Sequence, residues 1–261
     1  MKYTTIWVIW NLIFANFLPD VLPPNIFRFF ITMWMPAISA IIFLRAEKVP
    51  LKEGINWGIG SKKTYLLAIL VPFLSAGLTV LIGLISRKLS FNSSHSVNIV
   101  SVTLTLIIWI FSSLGEEIGW RGYLHNHLRK YKHAPLYIGI IWGLWHMQGL
   151  IQSHAEIQSI AVFIILTILV SYFLSWLINS GGNMLACGLF HGVWNFLRLK
   201  ILFGNPEHAN DGYFISSSPS LTEMEGLYGT ISFTLLAIPF IYLWYKKGPS
   251  KPESPSEKSA Q

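Results

Sequence analysis

Apolar residues in this chain come in long unbroken blocks, with polar residues gathered between them. Eight blocks stand out, at 3–18, 26–44, 66–85, 97–114, 134–151, 160–178, 183–199 and 227–245. Each is predicted to be a membrane-crossing helix, which takes roughly 20 apolar residues. The third to sixth and the last are the clearest, IAVFIILTILVSYFLSWLI at 160–178 among them. The first is short, but it lacks a small-x-small cleavage site and further blocks follow it. It therefore reads as a retained helix and not as a secretory signal. The seventh, NMLACGLFHGVWNFL, is interrupted by polar residues and reads as a short span packed inside the bundle.

Composition agrees. Charged residues make up 12% of the chain and apolar ones 52%, whereas an average soluble domain is about 25% charged. The expected fold class is all-α, a polytopic membrane bundle of about eight transmembrane helices. One membrane-embedded domain is expected over 1–245. A disordered cytoplasmic tail is expected over 246–261, where KGPSKPESPSEKSAQ offers no apolar anchor. Residues 45–63 read as a loop, since GINWGIGS is too glycine-rich for a steady helix. A single cysteine, Cys187, leaves neither a disulfide framework nor a cysteine-ligated metal site. No internal repeat is visible, which weighs against transporters built from two matching halves.

Orientation follows from Lys and Arg. With eight crossings, both termini share one side, and that side collects 14 of the 19 Lys and Arg residues. The other side holds Arg28, Arg87, Lys88, Arg198 and Lys200, with the acidic, polar loop at 204–226. The basic side is expected to be cytoplasmic, in a multi-pass protein of the cell membrane with both termini inside. The net charge of +7 then reflects topology and contact with the lipid bilayer, and gives no support for nucleic-acid binding.

In a chain so poor in charge, ionisable residues beside or within the spans stand out. The stretch SSLGEEIGWRGYLHNHL, 112–128, sets Glu116 and Glu117 at the end of the fourth span. Arg121 is four residues past Glu117 and lies on nearly the same helical face, within reach of an ion pair. Glu116 points about 100° away, free for another partner. A carboxylate in an apolar, water-poor site is a stronger base than free glutamate. All three residues also suit a charge cluster that merely fixes the helix.

His146, within IIWGLWHMQGL, should face the bundle interior, either as an interhelical hydrogen bond or as a site residue. His191 and Asn195 are four residues apart on one face, so they can offer two donors to one developing negative oxygen, or one can brace the other. A general base with an oxyanion-binding pair is what amide hydrolysis demands. Glu116, His146 and His191 would also suffice for zinc with an open water position, although the HExxH pattern is absent. His125, His127, His133 and His154 read as solvent or headgroup contacts.

Three stretches in order, EEIGWR at 116–121, WGLWH at 142–146 and HGVWN at 191–195, resemble the motifs of the CAAX protease and bacteriocin-processing family. These are intramembrane glutamic endopeptidases related to the CAAX prenyl endopeptidase. The family's first motif is a glutamate pair, three residues, then arginine; its third is histidine, three residues, then asparagine or similar. Its second usually begins with phenylalanine four residues before the histidine, where this chain has Trp142. The resemblance covers roughly residues 95–200. It implies that Glu116 is the catalytic glutamate, with His146 helping it to activate water. It implies that His191 and Asn195 form the oxyanion site, and that Glu117 and Arg121 orient the first motif. It also implies hydrolysis without cofactor or catalytic metal, of a membrane-associated or prenylated-like protein or peptide substrate.

Linear counting creates one tension. Glu116 falls near the cytoplasmic interface, whereas His191 and His146 lie some eight and twelve residues into their spans. At 1.5 Å per residue these depths differ by roughly 12–18 Å, so convergence calls for strong tilt or a helix running through 115–130. Three functional classes stand at this point. They are an intramembrane endopeptidase, a transporter using the buried Glu and His residues, and a non-catalytic membrane immunity or interaction protein.

Overall fold

The computed structural model describes residues 2–17, 26–55, 57–93, 95, 98–202 and 212–247. Helices occupy all eight blocks read from the sequence. They are α1 (Lys2–Phe17), α2 (Ile26–Ala46), α3 (Lys62–Ile85), α4 (Ile99–Glu117), α5 (Ala134–Trp145) with α6 (Met147–Gln152), α7 (Ile157–Asn179), α8 (Met184–Phe196) and α9 (Leu227–Lys247). Among the described residues, five helices are long and apolar enough to cross a membrane: Phe27–Ala46, Lys62–Ile85, Ile99–Leu128, Ile157–Asn179 and Pro219–Lys246. The fifth block gives a shorter apolar helix, and α1 and α8 are shorter than a full bilayer crossing requires. Of the expected tail at 246–261, Lys246 and Lys247 belong to α9, and the remainder lies outside the described residues.

Side-chain caps set where several helices begin. Asn98 accepts from the backbone N–H groups of Val100 and Ser101 at 3.0 and 3.1 Å to start α4. Asn183 accepts from Ala186 N at 2.9 Å to start α8, and Ser61 does the same for α3 through Thr64 N. Each cap satisfies donors that a helix start leaves unpaired. The Asn183 amide also donates to Gly58 O, which ties the start of α8 to the glycine-rich loop.

The fourth block differs from expectation in a way that matters. After Glu117 the helix continues as a π-helical stretch, Ile118–Leu124, and then a last α-turn, His125–Leu128. Glu116 therefore lies inside the bundle, roughly 18 Å along the axis from that end at 1.5 Å per residue. His146 is equally far from the start of α5, so the two residues meet in depth. The sequence reading ended this helix at 114 because the Glu pair and Arg121 resembled an interface. Their burial, with Glu116, Glu117 and Arg121 all fully buried, removes that reason.

Packing is close where side chains are small. α8 runs along α4, α5 lies on α7, α9 packs on α7 and α3, and α2 lies on α4. A Cβ at Gly192 would collide with the backbone of Ile110 in α4, and one at Gly139 with the backbone of Ile168 in α7. Such glycines let helices approach in the absence of a hydrophobic drive between them in lipid. Large apolar side chains such as Ile99, Leu104, Ile157 and Leu235 stay exposed on the outer faces, as contact with hydrocarbon tails requires. The all-α expectation needs one addition. Strands β1 (Leu89–Phe91) and β2 (Phe214–Ser216) pair antiparallel, with Ser90 opposite Ile215, and join two loops at one end of the bundle.

Because these glycine contacts leave no room for a methyl group, Gly192→Ala and Gly139→Ala should each destabilise the bundle by about 1–3 kcal/mol. Thermal unfolding in detergent measures this, with Gly77→Ala as control, since a Cβ there meets nothing within 4 Å.

Candidate active site

Glu117 and Arg121 form the buried base of the site. Arg121 Nη1 lies 3.2 Å from Glu117 Oε1, and both side chains are wholly buried. His191 Nδ1 reaches the same oxygen at 2.9 Å from α8. The Arg121 guanidinium also rests over the Trp142 ring, 4.4 Å from its centroid, a cation–π contact strengthened by the lack of water. Arg121 and His191 thus share one carboxylate oxygen, while Glu117 Oε2 and Arg121 Nε and Nη2 have no hydrogen-bond partner among the described residues.

Glu116 is held differently. Trp142 Nε1 donates to Glu116 Oε2 at 2.8 Å, and Trp120 Nε1 donates to the same oxygen at 3.3 Å. His146 Nε2 stands 4.0 Å from that oxygen, too far for a direct hydrogen bond. Glu116 Oε1 has no partner among the described residues. Indole N–H groups fix the carboxylate without neutralising it, so a proton-accepting oxygen is left in a mostly apolar setting.

His146 owes its position to a break in its helix. α5 ends at Trp145, His146 caps it, and α6 begins at Met147. The imidazole packs edge-on against Trp145 and Phe163 and is about one third exposed, whereas the Glu116 side chain is almost wholly buried. Asn195, one turn beyond His191, donates through Nδ2 to Ser113 Oγ of α4 at 3.4 Å. Glu116, His146, His191 and Asn195 all line one cavity of about 390 Å³, walled by apolar side chains such as Met33, Trp109, Phe163 and Leu166. Glu117 and Arg121 sit behind it.

The structure therefore brings together all four residues named for chemistry, with the two supporting residues one layer deeper. The oxyanion pair keeps its shared face, but the His191 Nδ1 is committed to Glu117, leaving Nε2 as its other polar atom. Among the described residues no three His, Cys, Asp or Glu side chains are grouped as metal ligands. Two residues escaped the sequence reading as site members, Trp120 and Trp142. Their spacing held a signal, for Trp120 is four residues after Glu116 and Trp142 four before His146, each on its partner's face.

Two histidine expectations need correction. His125 is fully buried beside Trp244. His127 contacts Glu47 Oε2 at 2.8 Å and Tyr123 O at 2.8 Å. Continuation of the helix past Glu117 carries both back against the bundle. Arg121 likewise is a bundle residue and drops out of the loop charges used for orientation.

A buried carboxylate, two histidines and an asparagine thus surround one cavity in a polytopic helical bundle. Residues 98–197 match the family model described as type II CAAX prenyl endopeptidase Rce1-like. The resemblance read from three motifs is thus supported over the block that carries all of them. At the family level the match indicates protease activity in a multi-pass membrane protein. No curated protein matches the chain.

The geometry at Trp142 separates two of its contacts. Trp142→Phe keeps a ring beneath Arg121 and deletes the donor to Glu116, whereas Trp142→Ala removes both and opens a hole. Trp142→Ala should cost about 3–5 kcal/mol of stability, and Trp142→Phe no more than about 1.5–3, the range for a hydrogen bond to a charged group. Detergent unfolding of the two variants beside wild type checks the order.

Proposed function

We propose that the chain is an intramembrane endopeptidase in which Glu116 and His146 together activate a water molecule against a peptide carbonyl. The observation that carries the reading is the pairing of unlike carboxylates. Glu117 is ion-paired to Arg121 and bonded to His191, while Glu116 accepts from two indole donors among the described residues and lines the cavity. His146 Nε2 lies 4.0 Å from the Glu116 carboxylate, which suits one water held between imidazole and carboxylate, with the unpartnered Oε1 as the oxygen that takes the proton. Glu116 takes the proton as the water oxygen attacks, and the same proton is available for the leaving amine.

His191 Nε2 and Asn195 Nδ2 bind the carbonyl oxygen as it becomes an oxyanion. With Nδ1–H donated to Glu117, His191 donates from Nε2 only as imidazolium, and Glu117 supplies the counter-charge for that form. The cavity wall favours an apolar peptide segment, as expected of membrane-associated or prenylated-like substrates. The chemistry needs no cofactor. The domain is proposed to span 1–245, with the roles confined to the block around the three motifs.

Purified protein in liposomes, tested against a membrane-peptide library, decides the reading. Glu116→Gln should lower cleavage by roughly 10²–10⁴-fold, the usual contribution of a general base, with the bundle still folded. Near-wild-type cleavage by that variant would remove Glu116 from water activation. Asn195→Ala should lower the single-turnover rate by about 10²–10³-fold with little change in substrate affinity, because its donor serves the transition state. Cleavage that stops with chelator and returns with zinc would replace the glutamate mechanism by a metal-dependent one.

A further inference from the structure

The first helix lies ahead of the block that matches the family model, yet it reaches the site. Its buried residues, Thr4, Trp7, Asn11, Phe14 and Ala15, form one stripe along α1. Ile6, Ile9, Trp10 and Ile13 stay exposed on the other face. Asn11 sets the level of this helix in the bundle. Its amide donates to Ser39 Oγ of α2 at 3.0 Å and to Trp7 O at 2.8 Å, and Asn11 and Ser39 are both buried. Sliding α1 along α2 would unpair these groups in an apolar setting, where such a loss is costly. Trp7 is thereby held at one height.

At that height Trp7, wholly buried, meets the π-helical stretch Ile118–Leu124. Its ring stands edge-on to Trp120, with centroids 5.3 Å apart and planes at 81°, and its centroid lies 5.1 Å from that of Tyr123. Trp120 also meets Trp145 at 6.0 Å and 77°, and Trp145 meets the His146 ring at 4.9 Å and 89°. A row of rings thus runs from α1 to His146, and Trp120 is the member that bonds Glu116. Its N–H donates to Glu116 Oε2 at 3.3 Å, longer than the 2.8 Å bond from Trp142 and just beyond the usual range. A bond of that length is lost on a small tilt of the ring. Whatever fixes the ring fixes the bond.

We propose that Trp7 is a positioning residue, bracing the Trp120 ring so that its N–H stays on Glu116. The proposal rests on the endopeptidase reading above and makes α1 part of what aims the general base. Edge-to-face packing of buried rings is directional, whereas an aliphatic side chain fills space without fixing a tilt. Trp7 is not among the side chains that line the cavity, so it acts through Trp120.

The Trp120 indole nitrogen reports the bracing by NMR in protein isotope-labelled at the indole nitrogen of tryptophan. Its signal is assigned by its loss in Trp120→Phe, and Glu116→Gln marks where it moves when the carboxylate charge is gone. Trp7→Leu should move it toward that position, and Trp7→Phe, which keeps an aromatic edge, by less. Hydrogen bonding shifts this nitrogen more than a neighbouring ring does, so loss of the Trp7 ring alone does not mimic the effect. An unmoved signal in folded Trp7→Leu overturns the proposal. If that variant does not fold, Trp7→Phe decides by the same rule.

Cleavage of the best library peptide in liposomes adds a kinetic readout. Trp7→Leu should lower kcat by about ten- to a hundredfold, as for a reacting group misplaced by up to about 1 Å, with KM nearly unchanged. In a Trp120→Phe background the same substitution should add nothing, and a further loss of kcat there also overturns the proposal. The nitrogen shift needs no cleavage, so failure of the bracing and failure of the hydrolytic reading give different results.

Discussion

Burial of adjacent carboxylates in hydrocarbon is the constraint around which this bundle is built. An isolated carboxylate moved from water to an apolar interior costs far more than a folded protein can spare, so each needs compensation. Glu117 obtains it from Arg121 one turn on and His191 across the helix interface. Glu116 obtains two indole donors on one oxygen, with no direct cationic hydrogen bond among the described residues. The asymmetry is geometric in origin. Neighbouring residues on a helix point about 100° apart, so one faces the α8 side and the other the cavity. Everything that positions α8, from the Asn183 cap to the glycine contact at Ile110, serves to deliver His191 to Glu117.

Trp142 links the two halves of that arrangement. Its N–H bonds Glu116, its face carries Arg121, and its edge meets the His191 ring at a centroid distance of 5.3 Å. One side chain thereby ties the fixed pair to the free carboxylate. A phenylalanine in this place keeps the stacking and loses the N–H, so the tryptophan here adds a restraint on the carboxylate that the usual second motif lacks.

Much of this was legible in the sequence. The eight apolar blocks gave the helices nearly to their ends, because in a bilayer hydrophobicity and helix are one requirement. The i,i+4 spacing gave the Glu117–Arg121 pair and the shared face of His191 and Asn195. What escaped has physical reasons. The continuation through 118–128 was hidden because charged and polar residues there mimic an interface when partners from other helices are out of sight. Misreading that end also misplaced His125 and His127. The indole donors were missed because tryptophan in an apolar run registers as packing, although its N–H is a donor. The β1–β2 pair joins loops far apart in the chain, and short strands in polar loops leave no period to read.

That strand pair has a consequence for the order of assembly. Its partners, 89–91 and 214–216, are separated by nearly half of the chain, and the Arg198–Glu225 ion pair, both of whose residues line the cavity, likewise waits for Glu225. Closing so long a loop is entropically costly and follows the local helix contacts, and a chain made from its N-terminus supplies the second strand late. Glu116, His146, His191 and Asn195 can all be inserted before that pair forms. The cavity therefore acquires its border only when the last fifth of the polypeptide is in place, which makes this border, and not the charged interior, the final element to mature.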